Sequence, residues 1–121
     1  MGSVITKLFY VVAQLYIYPG KEAEFHEYET QALHIARKHG GELICAFTPV
    51  YADAGIETPT EIHVLRFGDR SAFDTFKSDP EHAAIADWRA DVIRKTVIVV
   101  SGDVIDYCKI PGDRVPPGWH G

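Results

Sequence analysis

The 121-residue chain is 46% hydrophobic and 24% charged, enough for one core and too short for two comfortable ones. Twelve Lys and Arg against seventeen Asp and Glu leave a formal charge of −5; with no basic cluster, the expectation is no nucleic acid and no membrane partner. Neither a transmembrane run nor a secretory pattern of basic start and apolar core stands at the N-terminus, and the isolated Cys45 and Cys108 cannot staple a domain of this size, so a reducing cytoplasm is the expected location.

Leu8 to Tyr18 is β-branched and aromatic and stops at Pro19-Gly20, which predicts a long first strand. From Lys21 the period changes: Phe25, Tyr28, Ala32, Ile35, Ala36 and His39 recur at three- and four-residue spacing, and Gly40-Gly41 ends the helix. Glu42 to about Tyr51 reads as a second strand with Pro49 at an edge or bulge. Residues 52–59 form a loop, and Glu61–Phe67 a third strand. Asp69 is an N-cap for a helix presenting Ala72, Phe73 and Phe76. Asp79-Pro80-Glu81 starts another helix that continues through Ile85, Trp88, Arg89, Val92 and Ile93. Thr96–Val100 begins a fourth strand, kinked at Gly102 before Val104–Tyr107. One domain over residues 1–107 is expected, followed by a Pro/Gly-rich, non-helical arm over 108–121.

The order β-α-β-β-α-β is the ferredoxin-like α+β arrangement, a four-stranded antiparallel sheet with helices on one face. The first strand is nonetheless apolar on both sides: Phe9, Val11, Ala13, Leu15 and Ile17 on one, Leu8, Tyr10, Val12, Tyr16 and Tyr18 on the other. A strand buried on both faces needs two covers, and the helices supply one. A second copy stacked on the open face around Tyr10, Val12, Tyr16 and Val99 supplies the other, giving a homodimer.

Three stretches carry a family resemblance: Tyr18-Pro-Gly-Lys-Glu leading to His39-Gly-Gly, Leu65-Arg-Phe-Gly-Asp-Arg-Ser-Ala-Phe, and Ser78-Asp-Pro-Glu-His running on to Trp88-Arg89. With them the chain, over roughly residues 8–107, resembles the dimeric α+β barrel superfamily. It is most similar to small bacterial families there, related to the antibiotic-biosynthesis monooxygenases. Their pattern places a phenylalanine before the second helix, then S-P-E and L-R. Phe67 and Arg89 match two of those positions, while Ser78-Asp79-Pro80 is one residue longer. The resemblance implies the dimeric barrel and, for several relatives, a pocket between sheet and helices. Haem-degrading relatives pair an asparagine with a tryptophan and a later histidine. This chain has no asparagine, and the only histidine after Trp88 is His120, so haem degradation is disfavoured.

Four polar residues interrupt apolar periodicity. Glu29 lies about 40° round from Phe25 on the first helix, and Arg89 sits beside Ile85 on the last, with His82 on the same arc. His63 alternates with Leu65 and Phe67 on the helix-facing side of its strand. All four point to the sheet–helix gap, the pattern of a polar pocket. Glu29, His63 and Arg89 are the candidate catalytic groups, with His82, Tyr28 and Trp88 as candidate ligand-binding walls. The competing readings are a Glu29–Arg89 ion pair at the rim or side chains reaching water, a satisfied sheet histidine, and core aromatics. Arg89 held by Glu29 beside His63 is the expected pairing.

No metal and no cofactor are expected. His26, His34 and His39 fall on different helix faces, Glu29, His63 and His82 lack ligand spacing, and Cys45 sits inside an apolar strand. The function expected is a small-molecule-binding homodimer, acting as an enzyme or binder on a small organic or aromatic acid. The alternatives are a cofactor-independent monooxygenase, needing only a base and a shaped apolar cavity, and a non-catalytic dimeric module.

Overall fold

The computed structural model describes residues 5–6, 8–53 and 55–109. In chain order the elements are β1 (Ile5–Thr6), β2 (Phe9–Ile17), α1 (Glu22–Lys38), β3 (Glu42–Phe47), β4 (Glu61–Phe67), α2 (Arg70–Lys77), α3 (Pro80–Ala84), α4 (Ala86–Val92), β5 (Ile93–Val100), β6 (Val104–Ile105) and a 3-10 turn at Tyr107–Lys109. The main sheet is antiparallel in the order β3-β4-β2-β5. The fold is ferredoxin-like α+β.

Local chemistry places the elements. Gly40, at φ +78°, takes the left-handed position that closes α1. Asp69 accepts a hydrogen bond from the Ala72 backbone N–H at 2.8 Å and so caps α2. Asp79 caps α3 by accepting from the Glu81 N–H at 2.8 Å, and it also meets His39 Nε2 at 2.7 Å and Lys38 Nζ at 3.2 Å. The His39 contact, the Glu81 N–H and Lys38 hold the Asp79 carboxyl at about 2. This one side chain ties the end of α1 to the start of α3.

Two buried clusters fill the sheet–helix layer. Ala13, Leu15, Phe25, Tyr28 and Val92 centre the first, with Ile85 and Trp88 packed against it. Phe9, Val11, Ala36, Phe67 and Phe73 form the second. Along β2 the residues from Phe9 to Ile17 at every second position are buried, as the alternation requires.

Three expectations need correction. The second strand ends at Phe47, short of Tyr51. Its partner β4 begins at Glu61, and Thr60 just before it is committed to β2: its N–H donates to Leu15 O and its Oγ1 accepts from the Ile17 N–H. Past the Phe47–Ile62 pair, Pro49 on one side and Pro59 on the other have no N–H with which to extend the ladder. The last helix is not continuous: Ile85, at φ −103° and ψ 11°, separates α3 from α4. It also ends earlier than expected, because Ile93 is already extended and pairs with Ile17, one β-bulge away from the Tyr16–Lys95 pair. The continuation after Gly102 leaves the main sheet and pairs with β1 instead, Ile5 opposite Ile105. Of the C-terminal arm, Cys108 stands in the 3-10 turn; residues 110–121 lie outside the described residues.

The face away from the helices carries two rows across the sheet. Cys45, Val64, Val12 and Val99 form one, and Phe47, Ile62, Gln14 and Val97 the other. Val99 is 54% exposed, and Cys45, placed inside an apolar strand by the sequence reading, is an exposed thiol on this face. Tyr16 departs from the expected open patch. It is 3% exposed, because its hydroxyl donates to Glu57 O at 3.2 Å and Lys95 Nζ lies 4.6 Å from its ring centroid. Among the described residues no helix is long and apolar enough to cross a membrane.

Candidate functional site

The two core clusters do not close on each other. Between them lies a cavity of about 290 Å³, walled by residues from both, among them Leu15, Ala32, Val11, Ala36, Phe67 and Phe73. That volume stands at the small end of ligand sites, which run from roughly 300 to 1,000 Å³. Glu29, His63, Arg89 and His82, the four residues expected to share one layer, all line it, and Tyr28 does too. Trp88 does not. It packs edge-on to Tyr28, with centroids 5.6 Å apart and rings at 86°, and so supports the wall from behind.

The pairing inside the cavity differs from the one expected. Glu29 is paired with His63: its Oε2 lies 3.4 Å from His63 Nδ1. The other ring nitrogen, Nε2, lies 2.7 Å from Glu61 Oε1. His63 has room because its sheet neighbours on either side, Ala13 and Ala46, are small. Burial works against a charged imidazole, but the Glu29 and Glu61 carboxylates outweigh it and raise the His63 pKa. With a carboxylate at each nitrogen, the doubly protonated ring donates twice, whereas a neutral ring must aim one lone pair at an anion.

Arg89 is held by hydroxyls. Its Nη2 donates to Thr96 Oγ1 at 2.6 Å, and its Nη1 reaches Tyr28 Oη at 3.5 Å. The guanidinium carbon lies 6.0 Å from the Tyr28 ring centroid. Among the described residues Arg89 has no carboxylate within ion-pair distance, which corrects the expected Glu29–Arg89 pair. The physical reason is competition: His63 projects from the sheet under Glu29, and Thr96 on β5 stands next to Arg89 with an acceptor ready. Burial raises the Tyr28 pKa, Arg89 only partly offsetting it, so the phenol stays neutral. Burial, helped by the Arg89 charge, lowers the His82 pKa; its ring, 4.7 Å from that of Phe76, is an uncharged wall.

Sequence reasoning missed Glu61, Thr96 and Lys77. Glu61 was within reach, since it stands two residues before His63 and so on the same face of β4. Thr96 faces the cavity from β5 opposite Leu15, and Lys77 enters the wall from the last turn of α2; neither position breaks a periodic pattern. Among the described residues no three His, Cys, Asp or Glu side chains cluster as a metal site.

An antiparallel sheet with helices on one face and a polar-headed cavity between them defines a ferredoxin-like α+β protein. The chain belongs to the family described as Domain of unknown function (DUF1330), whose profile matches residues 9–103. Similar solved structures include a protein of unknown function from Rhodopseudomonas palustris, with a TM-score of 0.66, 10% identity, and coverage of 80% of this chain and 83% of that one. A dabb family protein with a ferredoxin-like fold from Mesorhizobium loti matches with a TM-score of 0.61 and 13% identity over 80% and 97% of the two chains. A dimeric protein of unknown function and ferredoxin-like fold from Bacteroides fragilis matches with a TM-score of 0.57 and 12% identity, again over 80% and 97%. At such identities the likeness speaks for the fold alone. No curated protein matches the chain.

Proposed function

We propose that the protein is a cytoplasmic homodimer that binds a small organic or aromatic acid in the cavity between sheet and helices. Arg89 anchors the carboxylate, Glu29 and His63 form an acid–base pair at the same wall, and Tyr28 and His82 shape the chamber. One observation carries the reading: a guanidinium lines a mainly apolar cavity and, among the described residues, its hydrogen-bond partners are two hydroxyls. A planar cation so placed is matched by a carboxylate, which takes two parallel hydrogen bonds from it. Support for the dimer comes from the two largely apolar rows on the uncovered sheet face, with Val99 and Phe47 about half exposed in the single chain.

Titration calorimetry with benzoate and salicylate against their uncharged amides tests the ligand class. The acids are expected to bind, the amides not, and Arg89→Met to lose the difference. Equal binding of acid and amide sinks the proposal, and no response to any acid favours a non-catalytic module. The apolar walls beside Glu29 also favour a second reading, a cofactor-independent monooxygenase. Oxygen uptake on adding a hydroquinone separates it from simple binding.

A further inference from the structure

Four side chains connect the cavity to the protein surface in one sequence of contacts. Glu29, on the cavity wall, meets His63 Nδ1 at 3.4 Å; His63 Nε2 meets Glu61 Oε1 at 2.7 Å; Glu61 Oε2 meets His26 Nε2 at 3.3 Å. Exposure changes sharply along the path, from 4% for the His63 side chain to 66% for that of His26. A sheet histidine with a purely structural role needs one acceptor, and Glu61 already provides it. Here the second nitrogen faces the carboxylate that borders the cavity, and the first acceptor is itself in contact with an exposed imidazole.

We propose that His63, Glu61 and His26 form a relay that exchanges protons between bulk water and Glu29, equipping the cavity for acid–base chemistry on its occupant. This goes beyond ligand recognition and does not depend on it. The resting His63 imidazolium first passes its Nδ1 hydrogen to Glu29 Oε2, leaving a neutral ring with its hydrogen on Nε2; once Glu29 has given that proton to the occupant, the next proton it takes up returns from Oε2 to Nδ1. The imidazolium then releases the Nε2 hydrogen to Glu61, Glu61 yields a proton to His26 Nε2, and His26 yields one to water. One proton leaves for each that enters, and no electrons are transferred. The ring is left with its hydrogen on Nδ1, so a proton returning along the path resets it. Such a two-way device suits a reaction that takes a proton from its substrate and gives one back. Arg89 from α4, Lys77 from α2 and His82 from α3 border the same cavity; among the described residues none of them forms an ion pair with the relay, and His82 feels the Glu29 charge at a distance.

The test uses the free protein with 15N-labelled histidine, reading transfer of magnetisation from water to the His63 ring N–H between about pH 6 and 8. The ring hydrogens of this buried residue are expected to exchange at least about tenfold faster than the β4 backbone amides around them. Glu61→Gln, which keeps shape and removes the proton acceptor, is expected to slow ring exchange at least about tenfold while amide exchange stays unchanged. His26→Ala is expected to slow it as well, and added imidazole buffer to restore the rate by replacing the missing ring. A wild-type ring as protected as its amides, or an unchanged rate in Glu61→Gln, overturns the relay. So does slowing in His26→Ala that imidazole does not relieve, and this arm decides the matter if Glu61→Gln fails to fold, because His26 is exposed. No ligand enters these measurements, so failure to find a bound acid leaves the relay standing, and failure of the relay leaves the Arg89 reading standing.

Discussion

Replacing Arg89 by Met separates a structural ion pair from a ligand-binding cation. The variant loses one short charge-assisted bond, to Thr96 at 2.6 Å, and one long contact to Tyr28 at 3.5 Å. A hydrogen bond to a charged group contributes about 1.5–3 kcal/mol, and the 3.5 Å contact adds little. Against this, a half-buried charge is removed from a mainly apolar cavity, recovering part of a desolvation cost of several kcal/mol per buried ion. The two effects oppose, so unfolding free energy is expected to stay within about 1.5 kcal/mol of wild type. Had Arg89 been the partner of Glu29, its loss would strand a carboxylate and cost about 3–5 kcal/mol. Urea unfolding of Arg89→Met, Glu29→Gln and the double variant at neutral pH measures the coupling. It is expected below about 1 kcal/mol for this pair, while the Glu29→Gln and His63→Gln pair couples by about 1 kcal/mol or more. Benzoate affinity should fall about 10- to 100-fold in Arg89→Met, equivalent to about 1.4–2.8 kcal/mol. A large Arg89–Glu29 coupling, or benzoate binding indifferent to the substitution, would refute the reasoning.

Protonation of His63 stabilises the fold, since its folded-state pKa is raised above the ordinary histidine value. Its contribution is therefore complete below about pH 6.5 and is lost as pH rises through the raised value. Urea unfolding across that range should show the wild type losing more stability than His63→Gln. Gly41→Ala places a Cβ 2.7 and 2.8 Å from two carbons of the Phe67 ring; that ring is buried in the second core cluster, so a stability loss of about 1–3 kcal/mol is expected on denaturation. Val99→Glu puts a charge among the apolar rows of the open face. Sedimentation at micromolar concentration should show twice the 13.5 kDa chain mass for wild type and a single mass for the variant; a wild type sedimenting as one chain removes the proposed interface.

Element identity was largely legible in the sequence because the signals are local. Asp69 and Asp79 cap the helices they were expected to cap, and β4 runs from Glu61 to Phe67 as read. The misreadings fall where tertiary pairing overrides local pattern. Residues 48–51 read locally as strand, yet the ladder of β3 on β4 stops at the Phe47–Ile62 pair. Nothing in the run from Ala86 to Val100 marks Ile93 as extended. Its apolar spacing suits a helix equally well, and only the bulge against Tyr16 and Ile17 turns it onto the sheet.

The site divides along the same line. A polar residue at an apolar phase is a one-dimensional signal, and Glu29, His63, Arg89 and His82 carry it. Choice of partner is three-dimensional. Glu29 and Arg89 stand on the two facing helices, so opposite charge alone suggests that they meet. But His63 rises from the sheet between small neighbours, already half satisfied by Glu61, and a second carboxylate at its free nitrogen makes it a stable cation. Glu29 is thereby drawn to the imidazole, and the guanidinium turns to Thr96. That redistribution leaves Glu29 with His63 in one assembly and Arg89 in another. One is a buried imidazole between carboxylates, suited to moving protons. The other is a cation with neutral partners, suited to holding an anion. A Glu29–Arg89 pair would have cancelled both.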